Sequence, residues 1–133
     1  MAKTLCINLL SGYQETEDPL FMVKLAEAAL NKGYGVNIFL FGNGCNMAKV
    51  EKPIVGHLHI VERLRGHMDV GKVGDQLEKL AQMGAKIETC HTTEYGRGTE
   101  FEQYREGVKW GDVGQSFVGQ LMTGHVLITL SRG

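Results

Sequence analysis

The chain has 133 residues, of which 43% are hydrophobic and 22% charged, and its formal net charge is -1. This length fits one domain spanning residues 1–133, and the composition is that of a globular protein rather than a disordered chain. The balanced charge gives no electrostatic reason to expect nucleic acid or an anionic membrane as a partner. The first residues lack a signal-peptide pattern, and no apolar run approaches the roughly 20 residues of a membrane span, so we expect a cytoplasmic protein.

Three cysteines, Cys6, Cys45 and Cys90, lie far apart in the sequence and form no C-x-x-C pair. An odd number of cysteines at this spacing favours neither a disulfide framework nor a closed zinc site. Such cysteine usage is typical of a reducing compartment.

Strand and helix patterns alternate from the start of the chain. Residues 4–10 are a continuous apolar run, which is typical of a parallel strand buried on both faces. The next segment predicts a helix, because Asp18 can cap it, Pro19 suits its first turn and Gly33 can end it in a left-handed conformation. Residues 35–41 predict a second buried strand, closed by a glycine-rich turn.

The first helix has a narrow polar stripe, formed by Lys24, Glu27 and Asn31 at spacings of three and four. Apolar side chains cover most of the remaining circumference. A helix of this kind needs cover on two sides, so we expect the sheet on one side and another subunit on the other. The sequence therefore predicts a homo-oligomer.

The second half of the chain continues the alternation. Residues 51–70 show no clear pattern and predict a loop or a short helix around residues 58–64. Residues 72–83 predict an amphipathic helix that Gly84 ends. Residues 85–90 predict a short strand ending at Cys90, and a polar connection follows it. Apolar stretches predict the remaining elements: a strand at residues 108–110, a helix at residues 117–122 and a final buried strand at residues 126–130.

This order predicts an α/β fold, with a single doubly wound, mostly parallel five-stranded sheet and helices on both faces, of flavodoxin-like type. In open sheets of this class, ligands and reacting groups gather beyond the carboxyl ends of the strands. The segments predicted at those ends are residues 11–16, 42–45 and 90–98. Two of the three cysteines fall within them.

Cys90 ends a predicted strand and precedes a polar segment that looks like the start of a helix. The positive end of a helix and the cations of His91 and Arg97 would all favour the thiolate, which is the reactive form. Cys90 is therefore the leading candidate for thiol chemistry, with Arg97 stabilising its thiolate and His91 as a further candidate. The alternative is that Cys90 is a small buried hydrophobic residue, as most free cysteines are.

The other two cysteines have different expected roles. Cys45 lies in a turn, Gly42-Asn43-Gly44-Cys45-Asn46, that looks flexible and exposed. It could approach Cys90 across the strand ends and act as a secondary thiol, although an incidental turn cysteine is the more frequent case. Cys6 lies inside the first apolar run, so we expect it in the core.

Other kinds of chemistry have weaker support. Gly42-Asn43-Gly44 resembles the opening of a dinucleotide fingerprint, but Met47 stands where the third glycine belongs. Residues 11–16 could form a loop that holds a flavin phosphate, but the sequence supports such a site only weakly. His57, His59 and His67 lack a cysteine or a clear carboxylate that would complete a zinc site. We therefore expect no cofactor and no metal.

With these elements in order, the whole chain resembles the DsrE/DsrF-like family, which includes the Dsr proteins of sulfur oxidisers and the Tus proteins of the thiouridine relay. The resemblance rests on four features of the sequence. These are the apolar helix at residues 20–30 with Asn31-Lys32-Gly33, the strand and turn at residues 36–46, the helix-Gly-strand-Cys unit at residues 77–90, and Arg97-Gly98.

The resemblance implies a DsrE/F-like fold, assembly into trimers or hexamers, and other sulfur-relay proteins as partners. It also implies a persulfide on Cys90, which occupies the place of the family cysteine at the end of the third strand. The predicted function is a sulfur carrier or sulfurtransferase of intracellular sulfur metabolism that accepts sulfane sulfur on Cys90 and passes it to a partner protein. The alternative is a non-catalytic ligand-binding or assembly module of the same fold.

Overall fold

Five parallel strands form a single sheet in the computed structural model, which describes residues 3–12, 18–48, 70–96 and 104–131. The order across the sheet is β4-β3-β2-β1-β5, and every neighbouring pair is parallel. The predicted fold class is confirmed. The strands are β1 (Thr4–Leu9), β2 (Gly35–Leu40), β3 (Lys86–Cys90), β4 (Val108–Gly111) and β5 (Val126–Leu130).

Helical segments connect these strands. The chain steps from β1 to β4 in one direction and then returns to the opposite edge, where β5 pairs with β1. Right-handed crossovers therefore place the connections of the forward steps and of the return step on opposite faces of the sheet. The helical segments are α1 (Asp18–Asn31), a 3-10 helix (Gly42–Ala48), α2 (Val70–Gln82), α3 (His91–Tyr95), a π-helical turn (Val113–Phe117) and α4 (Val118–Thr123).

The two faces of the sheet differ in chemistry. The face covered by α1 and α2, which we call the aliphatic face, buries branched and unbranched apolar side chains from four strands. Its central residues are Ile7, Ile38 and Ile87, which lie opposite one another in the strand register. The other face, which we call the mixed face, carries the alternate residues of the same strands: Cys6, Asn8, Phe39, Glu88 and Cys90.

Two predicted helix ends are confirmed in their conformation. Gly33 has φ +86° and Gly84 has φ +105°, and each follows the last residues of its helix. L-residues with a Cβ rarely adopt this left-handed conformation, so glycine is the residue that lets the chain turn toward β2 and β3.

The cover of α1 comes in part from the same chain. Glu27, in the predicted polar stripe, accepts a hydrogen bond from Lys79 of α2, with 2.6 Å between Oε1 and Nζ. Lys24 and Asn31 are exposed as predicted, and Phe21 remains 54% exposed. The side of α1 that bears Glu27 therefore faces α2 and does not need another subunit.

Two sequence predictions are wrong. The turn at residues 42–46 is the start of a 3-10 helix in which Gly44 and Cys45 are buried. A Cβ on Gly44 would overlap the backbone carbonyl of Leu9, so this glycine serves close packing rather than flexibility. The final strand, residues 126–130, is not buried: it is an edge strand, and Val126 and Leu127 are exposed.

The residues predicted to form a loop or short helix at 51–70 lie outside the described residues, except for Val70, which begins α2. Within the described ranges, no helix has both the length and the apolarity needed to cross a membrane.

Candidate functional site

Cys90 is the last residue of β3, on the mixed face, and α3 begins at the next residue. Its position at the carboxyl end of a parallel strand agrees with the sequence prediction. The side chain is only 1% exposed, as the alternative of a small buried cysteine expects. The side chain is buried because Cys45 and Phe39 pack in the same cluster, with Phe41 and Phe117 at its border.

Cys45 belongs to the same cluster, although it comes from the 3-10 helix after β2. Its Sγ atom lies 3.5 Å from the carbonyl oxygen of Cys90 and 3.3 Å from that of Leu40. The structure thus brings together the two cysteines that the sequence placed at strand ends, and neither forms a disulfide. We call this group, with its aromatic border, the thiol cluster: Cys45, Cys90, Phe39, Phe41 and Phe117.

Thr93 links the two cysteines. Its hydroxyl donates to the carbonyl oxygen of Cys90 at 3.2 Å, in the first turn of α3. With that proton committed, its oxygen can accept from the Cys45 thiol, whose Sγ is 2.9 Å away. The Cys45 thiol has one proton, which it can donate to one of these three oxygens at a time.

Aromatic side chains form the border of the thiol cluster. The ring of Phe39 stacks on Phe117 with 5.6 Å between centroids, and on Phe41 with 6.2 Å. Phe39 is buried, whereas Phe41 and Phe117 are half-buried. Cys45 and Cys90 are each 1% exposed, so solvent reaches their thiols only after neighbouring side chains move.

His91 follows Cys90 in the sequence but is directed toward β4. Its Nδ1 atom lies 2.8 Å from the carbonyl oxygen of Gly111, and since a carbonyl oxygen only accepts, Nδ1 donates the proton. Its ring stacks on Trp110 with a centroid distance of 4.2 Å. Its Nε2 atom is 3.4 Å from the hydroxyl of Thr92, so both ring nitrogens have partners other than the Cys90 thiol.

The remaining predicted residues are placed as follows. Cys6 is in the core as predicted, 1% exposed, and its thiol donates to the carbonyl oxygen of Gln120. Burial raises the pKa of the Cys6 thiol, and a hydrogen bond with Asn37 opposes that shift. Arg97, predicted to stabilise the thiolate, and the histidines at 57, 59 and 67 lie outside the described residues. Within the described ranges, His, Cys, Asp and Glu side chains form no group of three or more suited to a metal ion.

Sequence reasoning missed Thr93 and the three phenylalanines of the cluster. Thr93 had a detectable signal, because a threonine in the first turn of a helix often bonds to the backbone before it. Phe117 had no such signal, since its contact with Phe39 depends on how α4 and the preceding turn cross the mixed face. Long-range contacts of this kind follow from topology rather than from local pattern.

Comparison with solved structures shows which proteins share this arrangement of strands and helices. The YchN protein from E. coli matches with a TM-score of 0.71 and 16% identity, over 98% of this chain and 100% of that chain. MTH1491 from Methanobacterium thermoautotrophicum, a protein of unknown function, matches at 0.70 and 13%, over 96% and 99%. BT1422 from Bacteroides thetaiotaomicron, described as a conserved protein of unknown function, matches at 0.64 and 17%, over 96% and 95%.

The chain shares its fold with these three proteins. At such identities the likeness concerns the fold alone. No family model and no curated protein matches the sequence.

Proposed function

We propose that this protein is a sulfur carrier whose Cys90 accepts sulfane sulfur as a persulfide and passes it to a partner protein. The observation that carries the proposal is the meeting of two free cysteines from different strand ends in one cluster at the carboxyl edge of a parallel sheet. Reactive groups of α/β proteins concentrate at this edge. The resemblance of the sequence to DsrE/DsrF-like proteins supports the same residue as the carrier.

The proposed reaction moves one sulfur atom without net oxidation. The Cys90 thiolate attacks the outer sulfur of a donor persulfide, the S–S bond of the donor breaks, and the donor leaves as a thiolate. In the second step, a thiolate of the acceptor attacks the outer sulfur now attached to Cys90. The new S–S bond breaks there, and Cys90 returns to its starting thiolate.

Burial of the site fits a carrier that must keep its cargo. A solvent-exposed persulfide reacts with dissolved oxidants and with thiols other than that of the acceptor. We propose that Phe41 and Phe117, which border the cluster, exclude both while they cover it. Loading and unloading then require a border ring to move, which happens through local opening rather than global unfolding. We propose that the partner protein stabilises this open state.

Neighbouring groups have distinct proposed roles. Cys45, whose Sγ contacts the carbonyl oxygens of Leu40 and Cys90, is a secondary thiol next to the carrier. Arg97 is proposed to stabilise the Cys90 thiolate, as the sequence predicts. His91 is proposed to fix the end of β3 against β4 through its bond to the Gly111 carbonyl, rather than to exchange protons with Cys90.

The proposed setting is the cytoplasm, where the three free cysteines would stay reduced and other sulfur-relay proteins would act as donor and acceptor. We also propose a homo-oligomer, a trimer or hexamer. Exposed apolar side chains on α4 and β5 support this, among them Val118, Leu121, Met122 and Leu127. Light scattering at micromolar concentration should give a multiple of the monomer mass, and a monomer mass would contradict this part of the proposal.

Sulfur loading tests the proposal through the mass of the intact protein. The reduced protein is incubated with a small persulfide donor, freed of donor by gel filtration and weighed without reductant. The parent protein should gain one sulfur atom, and Cys90→Ala should gain none. Cys45→Ala is the matched control, because it removes a buried thiol from the same cluster and should still load.

Folding of both variants is checked by their thermal unfolding, since Cys45 and Cys90 are equally buried and alanine removes a similar volume from each site. Parental loading of the Cys90→Ala protein would refute the assignment of the carrier. Absence of loading in the parent, under conditions where a known carrier loads, would refute the function itself.

A further inference from the structure

A groove lies at the amino-terminal edge of the sheet, opposite to the thiol cluster. It is bounded by the end of α1, the start of β1 and the start of β5, and its volume is about 420 Å³. This falls within the range of about 300–1,000 Å³ that is typical of small-molecule sites. The groove is large enough for a small organic ligand.

The base of the groove is apolar and its rim is basic. Leu5, Leu25 and Val126 are among the apolar residues that line it. Lys3 and Lys32 stand at the rim, and both are exposed. The lining contains no aspartate or glutamate, and in the described ranges neither lysine forms an ion pair with a carboxylate.

His125 adds a third donor with a defined tautomer. Its Nδ1 atom accepts a hydrogen bond from the backbone N–H of Thr4 at 3.0 Å, so Nδ1 carries no proton. The proton of the neutral ring must therefore be on Nε2. Its backbone N–H donates to the carbonyl oxygen of Thr4 at 2.9 Å, which fixes the residue at the groove.

Backbone hydrogen bonds cap the end of α1 beside the groove. The carbonyl oxygens of Ala28, Ala29 and Leu30 already accept hydrogen bonds from the backbone N–H groups of residues 32–34. Two lysines at the rim, and a lining that has no carboxylates among the described residues, suit the polar part of the groove to negative charge.

We propose that this groove binds a small amphipathic anion, with an apolar body on the Leu5, Leu25 and Val126 surface and a carboxylate head that meets Lys3, Lys32 and the Nε2–H of His125. The two sites lie at opposite ends of the parallel strands. Ligand binding at the groove is therefore separate from sulfur transfer at Cys90, and neither proposal depends on the other.

Decanoate is a suitable probe, with decanol as its neutral match. Titration of isotope-labelled full-length protein, followed by backbone amide chemical shifts, should show saturable binding of decanoate with changes at residues 3–5, 28–32 and 125–126. Decanol should bind more weakly. Lys3→Gln and Lys32→Gln should each weaken decanoate binding roughly 2- to 5-fold, which is the range for one exposed charge pair.

Two further variants make the test specific. Ala28→Trp fills the groove from an exposed helix position and should abolish binding. Lys24→Gln, which removes an exposed lysine of α1 that does not line the groove, should leave binding unchanged.

Three results would overturn the proposal. The first is the absence of saturable binding below the concentration at which decanoate forms micelles. The second is equal affinity for decanol and decanoate. The third is a groove covered by a second copy of the chain. In that case the protein is an oligomer that decanoate does not change, and the Ala28→Trp variant dissociates into smaller species.

Discussion

The two faces of the sheet differ in the side chains they bury and in the helices that cover them. The aliphatic face buries an unbroken set of apolar side chains under two helices of 14 and 13 residues. The mixed face carries two thiols, an asparagine and a glutamate, and α4, which packs over β1, has only six residues. The same strands thus present stabilising groups on one side and polar or reactive groups on the other.

The mixed face keeps its polar groups at a cost in stability. Glu88 has a partner, since its Oε1 lies 2.9 Å from the Nζ of Lys86. The side-chain amide of Gln120 and the Oδ1 of Asn8 are buried without a hydrogen-bond partner among the described residues. An unpartnered buried group costs about 1–3 kcal/mol. Stability therefore comes mainly from the aliphatic face, which leaves the mixed face able to hold reactive groups.

The largest expected effect comes from a cavity on the aliphatic face. Leu80 of α2 is fully buried, so Leu80→Ala should lower the free energy of unfolding by about 2–5 kcal/mol. Urea denaturation measures the loss. Leu121→Ala on α4, where the side chain is 46% exposed, should cost less than about 1 kcal/mol. Equal losses of unfolding free energy in the two variants would contradict the claim that stability comes mainly from the aliphatic face.

A smaller effect on stability and a clear effect on reactivity are expected at the border of the thiol cluster. Phe117→Ala removes a half-buried ring stacked on Phe39 and should cost about 1–3 kcal/mol. It should also speed the alkylation of Cys90 by iodoacetamide in the native protein, because the ring no longer covers the cluster.

Phe21→Ala is the matched control, since it removes an exposed phenylalanine from α1 on the aliphatic face. It should leave the alkylation rate of Cys90 unchanged. An unchanged rate in Phe117→Ala would show that solvent reaches the thiols by another route.

The smallest effect concerns pH and Cys6. Because burial raises the pKa of its thiol above the ordinary value of 9.0, the folded state holds this proton more tightly than the unfolded state. The resulting stability is present below pH 9.0 and is lost as pH rises through the folded pKa. Cys6→Ala should therefore show a shallower fall in unfolding free energy above that pH. Identical pH profiles of parent and variant would contradict this.

Much of the fold was predictable because the aliphatic face has a simple pattern. Continuous apolar runs gave β1 and β2 to within one residue, and Gly33 and Gly84 marked helix ends. The exposure of β5 was not predictable, since its sequence is apolar and only the strand order makes it an edge. Edge position depends on contacts between distant segments.

The site was predictable in its residues but not in its environment. Strand ends located Cys45 and Cys90, yet glycines around Cys45 suggested an exposed turn where Gly44 instead allows close packing on Leu9. His91 was predicted beside the thiolate because it is next in sequence. Its actual partners, Gly111 and Trp110, come from β4, and their position depends on strand register.

The location of a loaded sulfur atom in the parent protein tests the central claim most directly. The protein is loaded with a small persulfide donor, its thiols and persulfides are alkylated after denaturation, and the peptides containing Cys6, Cys45 and Cys90 are weighed separately. No substitution is involved, so folding of a variant cannot affect the result. The account predicts the additional sulfur on the Cys90 peptide, with Cys6 and Cys45 unmodified by sulfur. An additional sulfur on the Cys45 or Cys6 peptide, with none on that of Cys90, would contradict it.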